Sequence, residues 1–186
     1  MTMRKNFGVK SWLYPQPVLI VGTYDAEGNP DAMNAAWGGQ YSSNQVMLAL
    51  GKHKSTENIR QKGAFTVNFA TASQVVASDY VGIVSANDEP DKMKKSGFTT
   101  TKSEFVDAPL INELPLALEC KLVKFNEDGK VIGEIVNVCA DESILDEAGN
   151  IDAAKLDAII FDPANATYLK LGEKVGNAFQ DGAKLK

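Results

Sequence analysis

The segment Pro17-Val-Leu-Ile-Val-Gly-Thr-Tyr24 is a short apolar run rich in β-branched residues, and the turn-forming segment Asp25-Ala-Glu-Gly-Asn-Pro30 follows it directly. β-Branched residues favour strands, whereas Asp, Asn, Gly and Pro favour tight turns. The residues from Asp31 to Trp37 then resume a strand-like pattern, which predicts a β-hairpin. A second hairpin is predicted where Asp128-Gly129 separates two apolar runs, because Asp-Gly is typical of hairpin turns.

The rest of the chain mixes strand and helix patterns without a regular order. Further strands are predicted at Gln45–Gly51, Ala64–Ala70, Leu116–Phe125, Lys130–Ala140, Ala158–Phe161 and Thr167–Leu171. Helices are predicted at Ser55–Lys62, Thr71–Val84, Asp88–Gly97 and Asp152–Leu156. The nearly continuous apolar character of Gln45–Gly51 predicts burial on both of its faces, as in a barrel or at an interface. Because strands and helices do not alternate strictly, we expect a mainly β protein with helical decoration, a β-barrel in one domain spanning 1–186, rather than a doubly wound parallel sheet.

The 186 residues carry a formal net charge of −5. An acidic chain argues against binding to a nucleic-acid backbone, which requires a basic surface. No apolar stretch approaches the ~18 residues of a membrane-spanning helix, so no membrane partner is expected. The two cysteines are too few for a disulfide framework, and with one histidine no zinc-type cluster can form. We therefore expect a cytoplasmic protein with no metal site and no catalytic side chain.

The segment His53-Lys-Ser-Thr-Glu-Asn-Ile59 lies between a predicted strand and a predicted helix. Free backbone N–H groups at a helix N-terminus attract anions, and Lys54, Ser55 and Thr56 add an ammonium and two hydroxyls there. This combination matches the needs of a terminal phosphate. The alternative is that Ser55 simply caps the helix, which ends at Gly63, while Lys54 is solvated. The segment by itself leaves both interpretations open.

The segment Ala32-Met-Asn-Ala-Ala-Trp-Gly-Gly39 ends a predicted strand with small residues. Small side chains let a planar ligand approach the backbone, and Asn34 with nearby amides could bind polar groups on the edge of that ligand. The alternative is a tightly packed strand crossing with Trp37 as ordinary core. The segment Asn68-Phe-Ala70 closes another predicted strand. Asn at such a position usually forms a turn, so a functional role for this segment depends on the other two.

Taken together, these segments resemble the flavin reductase-like family, in particular its flavoredoxin branch, over nearly the whole chain. The resemblance runs through Pro17-Val-Leu-Ile-Val-Gly-Thr, Asn34-Ala-Ala-Trp, His53-Lys-Ser-Thr-Glu-Asn-Ile, Phe65-Thr-Val-Asn-Phe-Ala, Ser78-Asp-Tyr-Val-Gly-Ile, Asp91-Lys-Met, Tyr168-Leu-Lys-Leu-Gly172 and Ala178-Phe179. It implies the FMN-binding split-barrel fold. It also implies a homodimer with two FMN molecules near the subunit interface.

The resemblance assigns particular residues to the cofactor FMN. Contacts with the flavin ring map onto Met33, Asn34, Ala35, Ala36 and Trp37. Phosphate contacts map onto Lys54, Ser55 and Thr56, with His53 adjacent. Contacts beside the ring or the ribityl chain map onto Asn68, Phe69 and Ala70. Residues lining the outer face of the site map onto Asp79, Tyr80 and Lys92.

The activity that the resemblance implies is hydride transfer from NAD(P)H to flavin N5, followed by electron transfer to a small acceptor. Many members that reduce free flavin carry a Gly-Asp-His-like segment in the late hairpin, whereas this chain has Asp128-Gly-Lys-Val-Ile-Gly-Glu134 without histidine. That departure leaves a second alternative, a flavoredoxin-like electron carrier that takes electrons from a redox protein. A third alternative is a barrel that binds a planar or phosphate-bearing ligand without redox activity.

Overall fold

The computed structural model describes residues 3–35 and 37–186. The strands are β1 (Gln16–Pro17), β2 (Leu19–Tyr24), β3 (Pro30–Ala35), β4 (Gly38–Ser42), β5 (Gln45–Leu48), β6 (Ala64–Phe69), β7 (Thr100–Lys102), β8 (Pro109–Ile111), β9 (Leu116–Phe125), β10 (Val131–Ala140), β11 (Ile159–Asp162) and β12 (Thr167–Lys170). The helices are α1 (Lys54–Lys62), α2 (Val75–Ile83), α3 (Lys92–Ser96) and α4 (Ala153–Leu156), with short 3-10 helices at Ala72–Gln74, Glu142–Ile144 and Asp181–Leu185. Strands predominate, which confirms the prediction of a mainly β protein with helical decoration. No helix in the described ranges is long and apolar enough to cross a membrane.

Seven of these strands form one antiparallel sheet in the order β3-β2-β6-β9-β10-β5-β4. Both predicted hairpins are present, as the pairs β2–β3 and β9–β10. Because β2 lies between β3 and β6, Ile20 pairs with both Asn34 and Asn68. The strands β1, β11 and β12 form a smaller sheet, and β7 pairs with β8.

The large sheet curls until its two ends approach each other. An ideal Cβ on Gly38 in β4 would lie 3.1 Å from Leu19 Cδ1 in β2, although the two strands are far apart in the sheet order. Apolar side chains from both halves meet inside the curl, where Leu48, Phe65 and Val131 are fully buried. The curled sheet thus encloses its own apolar core, as the predicted barrel requires.

Two helices approach the edge strand β3 from its opposite faces. The helix α1 packs Ile59 into the core of the curl, while α2 packs Val81 against Ile20 and Ala32 on the other face. Since side chains alternate along a strand, Met33 faces the α1 side and Asn34 faces the α2 side. This arrangement leaves space along the edge of β3 between the two helices.

The strand region 38–48 differs from the sequence prediction in two ways. β5 buries Val46 and Leu48 but leaves Gln45 and Met47 partly exposed, so only one of its faces is buried within the chain, and burial of the other face at an interface stays a prediction. An antiparallel strand with one covered face needs apolar residues only at every second position. Met47 is apolar but lies on the partly exposed face, so the alternation is not visible in the sequence. The strand β4 is absent from the prediction because its glycines and polar residues have low strand propensity.

The boundaries of α1 agree with the prediction only at its end. The helix begins one residue early, at Lys54, and His53 is its N-cap residue without a side-chain cap. Ser55 therefore lies inside the first turn and is buried, so the predicted capping role of Ser55 is wrong. Gly63 ends the helix as predicted, with a φ of 65° that favours glycine.

The two cysteines lie far from each other along the β9–β10 hairpin. Cys120 pairs with Ile135, whereas Cys139 pairs with Ala117, and both thiols are free. Burial raises the pKa of the Cys120 thiol to about 12, and the nearby Glu119 carboxylate acts in the same direction. Burial also raises the pKa of Cys139, which is only partly buried.

We expect a disulfide reagent to modify only Cys139 in the native protein at about pH 8, because the thiolate is the reactive form. Cys120 is both protonated and inaccessible until the chain unfolds. Titration with Ellman's reagent before and after adding guanidinium chloride should count one thiol and then two. Rapid reaction of both thiols in the native protein would contradict the burial of Cys120.

Candidate functional site

A cavity of about 180 Å³, which we call the edge cavity, lies along β3 between the start of α1 and the end of α2. Its walls bring together residues that are distant in the sequence. They include Asp31, Met33, Asn34, His53, Lys54, Ser55 and Lys92, together with the segment 81–86. All of the side chains named individually, except Asp31, were assigned to the cofactor by the family resemblance.

A second cavity of about 200 Å³ adjoins the edge cavity and shares Asn34, Gly82 and Ile83 with it. Its remaining walls are Val18, Asp79, Phe161 and Tyr168. The two cavities together reach the range of roughly 300–1,000 Å³ that is typical of small-molecule sites. The edge cavity carries charged groups, whereas the second is mainly apolar and aromatic. The pair therefore suits a ligand with an anionic end and a flat apolar end.

The start of α1 makes one end of the edge cavity attractive to anions. The N–H groups of Thr56 and Glu57 both donate to the carbonyl oxygen of His53, at 3.1 and 3.2 Å, which closes the first turn. The N–H groups of Lys54 and Ser55 belong to the first amides of the helix, and such amides have no partner within it. Anion binding is favoured here by three features together: these N–H donors, the Lys54 ammonium and the positive end of the helix dipole.

The hydroxyl groups that were expected to bind phosphate are engaged within the protein. Ser55 Oγ donates to Asp31 Oδ2 at 2.6 Å, and Thr56 Oγ1 donates to the Gly51 carbonyl oxygen at 2.8 Å. Thr56 does not belong to the walls of the edge cavity. In this structure, the two hydroxyls hold α1 and the preceding loop in place, and the backbone amides and lysines are the groups available to an anion.

Asp31 and the segment 81–86 line the edge cavity but are absent from the predicted site residues, and Asp31 is the charged one among them. Its carboxylate, 4% exposed, accepts hydrogen bonds from Ser55 Oγ and from Lys92 Nζ, the latter at 3.3 Å. Burial lowers the pKa of the Lys92 ammonium, and the ion pair with Asp31 opposes that effect. Asp31 follows a turn segment and so looks like a turn residue. The sequence did contain a signal for its role, because a carboxylate within a mostly apolar strand is expected to be buried and a buried charge needs a partner.

Asn34 stands between the two cavities. Its Nδ2 donates to the Ser78 carbonyl oxygen at 3.1 Å, which ties β3 to α2. An ideal Cβ on Gly82 would lie 2.8 Å from Asn34 Cβ, so the close approach of α2 depends on glycine at position 82. On the far wall, the Tyr168 hydroxyl donates to Asp79 Oδ1 at 2.7 Å, and burial with this bond raises the pKa of Tyr168 to about 12.

Other residues assigned to the flavin ring or to the outer face of the site have different surroundings. Ala35 is buried in the core of the curl, and Trp37, which is 44% exposed, follows the end of β3. Tyr80 lies with Asp79 and Tyr168 beside a shallower hollow on the outer side of α2. Ala36 lies outside the described residues. The structure thus brings Met33 and Asn34, but not Ala35 or Trp37, to the walls of the edge cavity.

The segment Asn68-Phe-Ala70 lies at the end of β6 and does not contribute to the walls of the edge cavity. Asn68 is fully buried; its Nδ2 donates to the Ile20 carbonyl oxygen at 3.0 Å, and its Oδ1 accepts from the Ile111 N–H at 3.2 Å. These bonds join β6 to β2 and β8. A contact between this segment and a cofactor stays a prediction.

Comparison with known proteins agrees with this architecture. The chain is 38% identical to the flavoredoxin of Desulfovibrio vulgaris (Miyazaki F), and the two structures superpose with a TM-score of 0.93 over 97% of this chain and 100% of that chain. The fold is therefore a split barrel. The model of the flavin reductase like domain matches residues 11–155. The chain belongs to the flavin reductase-like family.

More distant relatives show the same similarity. The structure of flavoredoxin from Methanosarcina acetivorans is 28% identical and superposes with a TM-score of 0.86 over the full length of both chains. An uncharacterized protein of Aeropyrum pernix is 31% identical over 120 residues, which is 63% of this chain. The chain spans 45% of the length of that relative.

Proposed function

We propose that this protein binds FMN in the edge cavity and the cavity beside it, and that it transfers electrons through the flavin as an oxidoreductase. The observation that carries the proposal is the different polarity of these two neighbouring cavities, which share Asn34, Gly82 and Ile83. Lys54, Lys92 and the start of α1 lie at one end, and Phe161 and Tyr168 lie at the other. FMN likewise has a phosphate at one end and a planar ring at the other. Membership of the flavin reductase-like family supports the same assignment.

The residues present fit this cofactor. The amides at the start of α1 and the Lys54 ammonium would hold the phosphate, while Asn34 would bind a polar edge of the ring. Met33 and Gly82 offer apolar surface beside Asn34. Bound FMN supplies the capacity to take up and release electrons, so the protein itself binds and orients the ring and excludes water.

We propose NAD(P)H as the electron donor and a small molecule as the acceptor. A second candidate is an electron carrier that receives its electrons from a redox protein. The 38% identity with a flavoredoxin favours this candidate, and so does the lack of histidine in the segment 128–134. The two candidates share the cofactor and differ in the electron donor, and the carrier would pass its electrons to a protein rather than to a small molecule.

The visible spectrum of the purified protein, before and after addition of FMN, tests cofactor binding. We expect flavin absorption that remains with the protein through gel filtration, with riboflavin held more weakly because it lacks the phosphate. A protein that stays colourless after FMN is added would contradict the proposal and favour a barrel without redox activity.

Anaerobic stopped-flow mixing of the FMN-loaded protein identifies the donor. Bleaching of the flavin by NADH or NADPH is expected if a pyridine nucleotide is the donor. Reduction by a reduced ferredoxin, but by neither nucleotide, would instead support the electron carrier. Free FMN at the same concentration is the matched control for non-enzymatic reduction.

The proposal includes a homodimer. Trp37 and Tyr41, at the edge strand β4, and Val138 in β10 are large apolar side chains with substantial exposure. A second copy of the chain that covered them would remove apolar surface from water. The arrangement that the family resemblance implies, with FMN close to the subunit interface, would then place the partner beside the cofactor.

A further inference from the structure

A buried polar cluster ties together three of the elements that meet at the edge cavity. Asp31 lies in β3, Ser55 in α1 and Lys92 at the start of α3. Asp31 Oδ2 accepts from Ser55 Oγ at 2.6 Å, and Asp31 Oδ1 accepts from Lys92 Nζ at 3.3 Å. The exposed fractions of Ser55, Asp31 and Lys92 are only 1%, 4% and 3%. All three residues also form walls of the cavity, so one buried carboxylate holds two of its walls.

A carboxylate is an unexpected component of a site that attracts anions, because it repels a phosphate. The ion pair with Lys92 explains the position of Asp31. A buried ammonium is costly unless it is paired, and Asp31 is the acidic residue that pairs with it. The helix α3 has five residues; its Met93 packs against the apolar cluster that contains Ile20, whereas Lys92 reaches Asp31 in β3.

We propose that Asp31 is a positioning residue, which holds the Lys92 ammonium in the wall of the edge cavity so that Lys92 binds the phosphate of FMN together with the start of α1. This inference rests on the proposed function. It goes beyond that function because it gives the buried Asp31 carboxylate a role, which is to hold the Lys92 ammonium in position. It also moves Lys92 from the outer face of the site to the phosphate.

The charged surroundings of Lys92 define how the site responds to pH. Asp31 faces Lys92 from β3, and the start of α1 contributes His53 and Lys54 to the same cavity. The segment 81–86, at the end of α2 and just beyond it, contributes no charged side chain. Burial lowers the pKa of Lys92 and the Asp31 pair raises it. If Asp31 is neutralised, burial acts alone, so Lys92 loses its proton at a lower pH than in the wild type.

The Asp31→Asn variant makes this dependence measurable. FMN affinity is followed by flavin fluorescence from about pH 7 to 9, a range in which the phosphate is a dianion because its second pKa is about 6. Because the variant loses the ammonium at a lower pH than the wild type, the ratio of its Kd to that of the wild type should grow as the pH rises, by about tenfold, equivalent to ~1.4 kcal/mol.

Two matched variants separate positioning from general stability. Adding Lys92→Arg to Asp31→Asn should abolish the extra pH dependence, because a guanidinium stays charged throughout the range. Glu119→Gln is the control. Glu119 is 1% exposed and accepts hydrogen bonds from Ser103 and Asn137, but it does not line the edge cavity. Its pH profile for FMN should match the wild type.

The outcomes distinguish this inference from the proposed function. A wild type that binds no FMN overturns both. If the wild type binds FMN and the Kd of Asp31→Asn depends on pH in the same way, only the role of Asp31 is overturned. The same conclusion follows if Glu119→Gln shows the pH effect expected for Asp31→Asn. If Asp31→Asn does not fold, Lys92→Met replaces it. Lys92→Met should then weaken FMN binding about tenfold while leaving riboflavin binding nearly unchanged, and an FMN affinity equal to that of the wild type would overturn the inference.

Discussion

Replacing Gly133 with valine is expected to lower the free energy of unfolding by about 3 kcal/mol, near the upper end for an overpacked core. An ideal Cβ at this position would lie 2.3 Å from Phe65 Cζ and 2.8 Å from Phe65 Cε1. Phe65 is fully buried inside the curl, so its ring could move only by displacing other core side chains. Because a domain is stabilised by only ~5–15 kcal/mol, a shift of this size is easily measured in a urea titration.

A matched control for this variant is Gly39→Val in the neighbouring strand region. No heavy atom lies within 4 Å of an ideal Cβ on Gly39, so we expect its unfolding free energy to change by no more than about 0.5 kcal/mol. Combining Gly133→Val with Phe65→Ala should cost less than the sum of the two single changes, since each relieves part of the other's defect. Equal urea midpoints for Gly133→Val and the wild type would refute the close packing of β10 on β6.

Reversing the charge of Lys54 is expected to weaken FMN binding by about 10- to 100-fold, or ~1.4–2.8 kcal/mol. Lys54 is the first residue of α1 and lines the edge cavity, so Lys54→Glu places a carboxylate where the phosphate is proposed to bind. The fold should tolerate the change, because an acidic residue in the first turn of a helix interacts favourably with the helix dipole. Fluorescence titration with FMN, beside a thermal melt, measures both effects.

Lys52→Glu provides the control for Lys54→Glu, because it carries the same charge change two residues away. Lys52 is exposed and does not line the edge cavity, so its effect on the Kd should be small and should vanish at high salt. Riboflavin tests which end of the ligand Lys54 contacts. Because riboflavin lacks the phosphate, Lys54→Glu should leave the affinity for riboflavin nearly unchanged. Equal effects of the two variants on FMN would argue against a phosphate at the start of α1.

Much of the candidate site could be predicted because short segments of consecutive residues determine its parts. The turn residues before Asp31 and at Asp128-Gly129 predict two hairpins that the structure contains. The segment from His53 to Ser55 predicts a helix start with cationic character, and the helix does start there, at Lys54. Local patterns succeed in these cases because turns, helix ends and strand propensity depend on a few consecutive residues.

The predictions failed where the answer depended on distant partners. Ser55 has the chemistry of a capping residue, but Asp31 lies against it across 24 positions of sequence and takes its hydrogen bond. Asn68 reads as a turn former, yet it is fully buried between β2 and β8. A hydroxyl or amide bonds to whatever group the fold brings near it, and no short segment contains that information.

The amino-acid sequence alone was sufficient for the fold class, the two hairpins and the cationic start of α1, because these follow from propensities and spacings within each segment. The tertiary structure alone decided that β3, α1, α2 and α3 share one cavity and that Asp31 joins Ser55 to Lys92. The reason is that burial and pairing of charges are properties of the space between segments. That space exists only once the sheet has curled and the helices have packed on its edge strand.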